Sequence, residues 1–327
     1  MKKIKMTKWQ AVPLLKTLPK QKDHAIWAIA TQKGGVGKTT FSSNFSEALN
    51  QASKRNTLIA NCDLQSNIID TALVRDGEGA IISTDKYITT MDLFDLCVDD
   101  DDNIVPSPLV MNKELYRNKR GIYLIPSNKD FLKVDRLDDD LGQIAAPLIN
   151  LNYLAETYDL ANTILDCMPH LGFGVKASLF VSDYVVSPVE PHDYSVSGLA
   201  AIAYALREAN LMRRDVELPS VKFIGAVVNR FDSGSAKARS EVESLRDQLG
   251  DAVLASEIQE RNPIKDASGV GLPVWENKKG GSPVAATEIL NAINEVVQRG
   301  SDMYVSDNDP HDEVAIMLAD YYESNQN

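Results

Sequence analysis

Lys33-Gly34-Gly35-Val36-Gly37-Lys38-Thr39-Thr40 (KGGVGKTT) is the stretch that decides how this chain folds. Before it, Ala25–Thr31 (AIWAIAT) is a short apolar run leading to glycines, which reads as a buried strand. After it, Lys38–Ala52 puts Phe41, Phe45, Ala48 and Leu49 on one side of a helix. A strand, a glycine-rich turn and a helix in that order make a phosphate cradle. Gly34, Gly35 and Gly37 let the backbone turn tightly and aim its N–H groups, Val36 included, at anionic oxygens. Lys38 offers a cation to β- and γ-phosphates, Thr39 a hydroxyl for Mg²⁺, and the helix start a favourable dipole, with Thr40 beside it. The common pattern G-x-x-x-x-G-K-[ST] fails at its first glycine, which is Gln32, and Lys33 stands before the glycine pair. The expected ligand is ATP with Mg²⁺, and the expected reaction is its hydrolysis.

Outward from this loop, apolar runs alternate with helical spacings. Strands are expected at Thr57–Cys62, Ile122–Ile125, Thr163–Cys167, Tyr184–Val189 and Phe223–Val228. Helices are expected at Ile144–Tyr158, Ser195–Met212, Ala236–Leu249 and Pro283–Val297. That alternation implies an α/β fold, a mostly parallel twisted sheet with helices on both faces, and with the phosphate loop the expected type is a P-loop NTPase. Right-handed crossovers then gather the loops after the strands at one edge, bringing together Lys33–Thr40, Asp63 and Asp166. Residues 75–103 read as a solvent loop ending in Asp99–Asp102. The organisation expected is a basic N-terminal arm (1–24), one ATPase domain (25–300) and a solvated acidic tail (301–327) in which Val314–Tyr322 is the one helical stretch.

Composition sets the boundaries of function. The 327 residues, 44% hydrophobic, suffice for one large core, and no apolar run is long enough to span a membrane. The basic N-terminus is followed by no apolar segment with a cleavage site, so no secretory signal is expected. Cys62, Cys97 and Cys167 are too few and too scattered for a disulfide framework or a zinc site, which fits a reducing, cytoplasmic setting. The net charge of −12 owes much to residues 301–327, which carry acids and no Lys or Arg, so the total says little about any local surface. The histidines have no metal spacing, and Trp9, Trp27 and Trp275 read as packing residues.

Two carboxylates end strands: Asp63 after TLIANC and Asp166 after TIL. A carboxylate so placed either caps a turn or, beside a phosphate loop, holds a Mg²⁺-bound water or orients the attacking one. The loop K-G-G-x-G-K-T resembles the signature of the ParA/Soj/MinD superfamily of ATPases with a deviant phosphate loop, and residues 33–39 match every fixed position. Asn61-Cys62-Asp63-Leu64-Gln65-Ser66-Asn67 resembles that family's D-x-D-P-Q-G-N, keeping the second aspartate, the glutamine and the asparagine. Asp166-Cys167-Met168-Pro169-His170-Leu171-Gly172 resembles its D-C-P-P-S-L-G, and Val185–Pro191, Gly121–Asn128 and Arg261–Ser268 resemble further family stretches in order.

The resemblance, closest to plasmid and chromosome partition ParA proteins, covers about residues 25–299. It implies a homodimer that sandwiches ATP, with Lys33 reaching the partner's phosphates. It gives Asp63 the hydrolysis-linked role and Asp166 the Mg²⁺-proximal one, Thr39 and both aspartates forming the metal set. It puts Pro263 beside the nucleotide. Asn229 either contacts adenine, as in several relatives, or simply ends its strand. Lys237 and Arg239, with Arg261 and Lys265, occupy the two regions that bind DNA backbone in ParA relatives. Interleaved acids make a solvated charged face the alternative. The expected partners are therefore non-specific DNA and a ParB-like centromere-binding protein, with no membrane, and the expected place is the cytoplasm, on the nucleoid. The rivals are a MinD-like or ParA-like positioner of a membrane or protein cargo, and an iron–sulfur reductase like the nitrogenase iron protein with Cys97 as a loop ligand. The acidic C-terminus would be repelled by anionic lipid, which opposes the membrane reading.

Overall fold

The structure is a computed structural model describing residues 2–3, 24–63, 85–100, 104–137, 141–191, 195–278, 280–306 and 312–325. Its centre is an eight-stranded sheet. In chain order the strands are β1 (Ala25–Ile29), β2 (Asn56–Cys62), β3 (Tyr116–Arg117), β4 (Tyr123–Ile125), β5 (Leu160–Cys167), β6 (Tyr184–Val189), β7 (Lys222–Phe231) and β8 (Val253–Gln259). The spatial order is β8-β7-β6-β1-β5-β2-β4-β3. Every pairing is parallel except β3 with β4 at one edge.

β1 shows why both faces must be covered. Its residues alternate, as strand geometry requires. Ile26, Ala28 and Ala30 enter one core, while Trp27 and Ile29 enter the other. Helices α2 (Leu141–Tyr158), α3 (Phe173–Val181), α4 (Ser195–Asp215) and α5 (Ala236–Leu249) close the first core. Helices α1 (Lys38–Ala52), α6 (Asn262–Val270) and α7 (Ser282–Ser306) close the second. Phe41, Phe45 and Leu49 of α1 lie one turn apart and pack beneath Trp27, whose ring meets Phe45 edge-on at 5.3 Å.

Among the elements that escape the sequence reading are β8, α3 and α6. β8 (VLASEIQ) is interrupted by Ser256 and Glu257 because it is an edge strand. Its N–H groups of Ala255, Ser256 and Gln259 donate to Glu295 and Glu288 of α7 instead of to a ninth strand. α3 (FGVKASLFV) is buried nearly all round and so carries no amphipathic stripe. α6 begins within the Arg261–Ser268 stretch, with a proline in its first turn.

Two expectations are corrected. The stretch 75–103 is not a solvent loop where it is described: Ile88, Leu93, Phe94, Leu96, Cys97 and Val98 are buried. Cys97–Val98 pairs with Lys2–Lys3 and Ile104–Val105 in a small antiparallel sheet, so Cys97 is a buried strand residue and no loop ligand. Where they are described, residues 301–327 are also not a solvated tail. Residues 301–306 continue α7, and α8 (Asp312–Ser324) packs on α4. Leu318 and Ala319 are buried there, Tyr322 meets Tyr204 at 5.2 Å, and Arg207 binds Asp320 and Glu323. Asp320 and Glu323 thus pair with α4 and Leu318 and Ala319 face inward, while Ile316, Met317 and Tyr321 are exposed.

Candidate functional site

The carboxyl ends of β1, β5 and β2 lie side by side, in register Ile29↔Asp166 and Asn61↔Asp166. The order in which the chain adds parallel strands switches from one side of β1 to the other, and the crevice over such a point is where open α/β sheets bind ligands. The Lys33–Thr40 loop leaves β1 here, and Asp63 and Asp166 end β2 and β5 beside it.

Gly35 and Gly37 take left-handed φ values of 83° and 82°. At Gly37 a side chain is excluded twice, because a Cβ would also sit 2.5 Å from Asn229 Nδ2. Gly37 starts α1 with no side-chain cap and no acid in the first turn, so the first N–H groups and the positive end of the helix dipole face the loop.

Within this loop Lys38 is buried, its Nζ 3.0 Å from Asp166 Oδ1 and 3.6 Å from Asp63 Oδ2. Burial favours the neutral amine, but the two carboxylates outweigh it and hold Lys38 above the usual lysine range. Thr39 donates to Asp166 Oδ2 at 2.8 Å, and Ser42 Oγ lies 2.8 Å from Asp166 Oδ1. Asp166, fully buried, is thus surrounded by one ammonium and two hydroxyls. Asp63 is placed by Asn61, whose amide oxygen accepts from the Asp63 N–H at 3.0 Å. Gln65 and Asn67 lie outside the described residues.

The outer rim is a ring of charges. Lys33 Nζ lies 3.7 Å from Glu190 Oε2, and Arg230 lies 4.0 Å from the same oxygen. Glu260 joins Arg230 and Lys265, at 3.0 and 2.6 Å. Asn229 Nδ2 donates to the Val36 carbonyl at 2.8 Å, so its amide reaches the phosphate loop itself. Ser268 of α6 meets Thr40 at 3.4 Å, which ties α6 to α1, and Asn277 donates to the Pro263 carbonyl.

Lys33, Gly34, Gly35, Val36, Gly37, Lys38, Thr39, Thr40, Asp63, Asp166 and Asn229 therefore converge, with Pro263 on the helix that flanks them. Of the four DNA candidates, Lys265 reaches the rim through Glu260, and Lys237, Arg239 and Arg261 pair elsewhere. Lys237 pairs with Glu241 at 3.4 Å and Arg239 donates to the Ser233 carbonyl, both on α5. Arg261 pairs with Glu288 at 2.7 Å and Lys265 with Glu260. Three of the four cations thus have a carboxylate alongside. Ser42, Glu190 and Glu260 were not singled out from sequence. Of these only Ser42 leaves a signal, four residues after Lys38 on the same helix face.

The donor set suits a hard cation: Thr39 Oγ1 and the carboxylates of Asp63 and Asp166 offer oxygen ligands of the kind Mg²⁺ takes beside phosphates.

The AAA_31 family model, an AAA domain, matches residues 24–217, more than half of the chain. The chain belongs to the ParA/MinD superfamily of ATPases. Among ParA/MinD relatives, protein IncC of Escherichia coli is 27% identical over 174 residues, 53% of this chain and 46% of IncC. The chain thus spans about half the length of that relative. The chromosome partitioning protein ParA of Myxococcus xanthus is 26% identical over 262 residues, 76% of this chain and 80% of that protein. An ATP complex of a McdA variant from Cyanothece has a TM-score of 0.66 at 18% identity, over 84% of this chain and 97% of that one, a likeness of fold.

Proposed function

We propose that this chain is a ParA-type partition ATPase that binds ATP with Mg²⁺, closes into a dimer through Lys33 and holds DNA without regard to sequence. The observation that carries the reading is the convergence of Lys38, Thr39, Asp63 and Asp166 on one phosphate loop with Lys33 at its rim. Support also comes from a relative named for chromosome partitioning and from a fold shared with an ATP complex.

In this reading the β- and γ-phosphates take Asp166's place as the partner of the Lys38 ammonium. The backbone N–H groups of residues 34–38 hold the remaining phosphate oxygens. Thr39 and Asp166, with Asp63 beside them, would hold a magnesium ion, which would neutralise phosphate charge. Asp63 orients the attacking water and accepts its proton. Lys33 exchanges Glu190 for the nucleotide of a second subunit, so the γ-phosphate joins the two and its loss frees them. Two weak DNA surfaces on one dimer then act together, which makes DNA binding depend on ATP. A centromere-bound partner protein would accelerate the hydrolysis. The acidic, docked α8 does not favour attachment to anionic lipid.

Phosphate release, sedimentation and duplex binding in ATP and in ADP test this. Asp63→Ala should keep ATP binding and the dimer while losing hydrolysis, and Lys33→Ala should stay monomeric in ATP. A native protein whose mass and duplex affinity ignore the nucleotide would remove the partition reading.

A further inference from the structure

The strand that borders the phosphate loop, β7, ends irregularly. Its register with β8 runs Val228↔Glu257 and then Phe231↔Gln259, so two residues, Asn229 and Arg230, stand opposite one, Ile258. That is a bulge, a device that re-aims side chains. Arg230 also has φ of 52°, a left-handed value that is uncommon outside glycine and costs about 1–2 kcal/mol in general. Asn229 Oδ1 accepts from the Arg230 N–H at 3.0 Å and steadies the turn.

The consequence lies in where the two side chains go. In a regular strand, neighbouring side chains point to opposite faces. Here both reach the same loop: Asn229 Nδ2 to the Val36 carbonyl at 2.8 Å, and Arg230 Nη1 to the Gly35 carbonyl at 2.6 Å. Successive residues of one strand hold successive carbonyls of the loop. Each peptide unit is planar and trans, so its N–H points away from its C=O. Holding the Gly35 oxygen toward β7 turns the Val36 N–H to the other side, and holding the Val36 oxygen does the same for the Gly37 N–H. Glu260 and Glu190 keep the guanidinium in place from outside, at 3.0 and 4.0 Å.

We propose that Arg230 is a positioning residue for nucleotide binding, which, with Asn229, orients the loop N–H groups of Val36 and Gly37 toward the phosphates by gripping the carbonyls behind them. The inference rests on the reading that this loop holds a nucleotide. It makes the bulge and the left-handed Arg230 part of the binding device. Because these N–H groups serve ground state and transition state alike, losing the grip should raise KM for ATP rather than lower kcat.

The test is equilibrium binding of fluorescent ADP and ATP analogues to Arg230→Asn, Arg230→Gly and Arg230→Lys, with thermal melting of each nucleotide-free protein. Asn and Gly both accept the left-handed backbone, so the fold should survive either change. Both should bind ADP and ATP about tenfold more weakly while melting close to the native protein, tenfold being about 1.4 kcal/mol. Lys, with one cation and no fork, should recover part of the loss. Native-like ADP affinity in Arg230→Asn and Arg230→Gly would overturn the proposal while leaving the ATPase reading intact. So would an affinity loss that only follows a lowered melting temperature. A native protein that binds neither ADP nor ATP would overturn both.

Discussion

Lys38 and Asp166 form a buried ion pair, Nζ to Oδ1 at 3.0 Å, at the heart of the candidate phosphate site. The pair stabilises the nucleotide-free protein by satisfying a carboxylate that has no access to water. Lys38→Ala should therefore do two things. It should abolish ATP turnover, and it should destabilise the protein by about 3 kcal/mol, because Asp166 keeps two hydroxyls and loses its close cation. Adding Asp166→Asn should recover much of that stability and none of the turnover. Urea unfolding of the two single variants and the double variant measures the coupling. Additive losses would show that the two side chains do not stabilise each other.

Gly37 gives a separate handle on the loop. Gly37→Ala forces a side chain into a left-handed backbone, at about 1–2 kcal/mol, and drives Asn229 off the Val36 carbonyl. Gly34→Ala meets no atom within 4 Å. Gly37→Ala should lower both stability and ADP affinity, and Gly34→Ala should lower stability much less. Melting curves and fluorescent ADP titrations of the two variants decide it.

The centre of the site was legible in the sequence and its supports were not. Glycines, Lys38 and Thr39 at fixed offsets after an apolar strand leave few readings, and Asp63 and Asp166 each close an apolar run. Arg230 was visible only as one basic residue among several. Its role depends on a bulge and a backbone angle, which have no periodic signature. Glu190 and Glu260 likewise act through pairings between distant segments. Among the elements, β8 hid because its edge position admits Ser256 and Glu257, and α3 because a helix buried all round shows no stripe. The helical spacing of α8 was readable at Val314–Tyr322, but acidic composition concealed its docking, although the inward residues Leu318 and Ala319 sit among its acids.

Docking of α8 on α4 has a measurable consequence. Leu318→Ala, at a fully packed position, should cost about 2–4 kcal/mol. Arg207→Ala should cost under about 1 kcal/mol, since its partners Asp320 and Glu323 are largely exposed. Ending the chain after Ser306 should lower the melting temperature more than Arg207→Ala does, because it uncovers the apolar surface of α4. A truncated chain that melts like the native one would show that α8 does not stabilise the fold.

His24 should make stability depend on pH. It opens the described domain at the foot of β1, buried, with Nε2 2.8 Å from Thr163 Oγ1. Burial chiefly, and then the positive charge of Arg55, lower its pKa from 6.5 to about 4. Between those values the unfolded chain carries a proton on this residue that the folded protein refuses. Proton binding then favours unfolding, so stability falls as the pH drops from about 6.5 and levels off near 4. The full effect is about 3 kcal/mol at 1.36 kcal/mol per pKa unit. His24→Asn keeps a polar contact for Thr163 without titrating, so it should remove this part of the acid sensitivity. Because other groups titrate in both proteins, the informative quantity is the difference between their urea midpoints, taken at pH 7, 5.5 and 4. That difference should move in favour of His24→Asn as the pH falls. A difference that stays constant across the range would mean that His24 protonates as readily in the folded protein as in the unfolded chain.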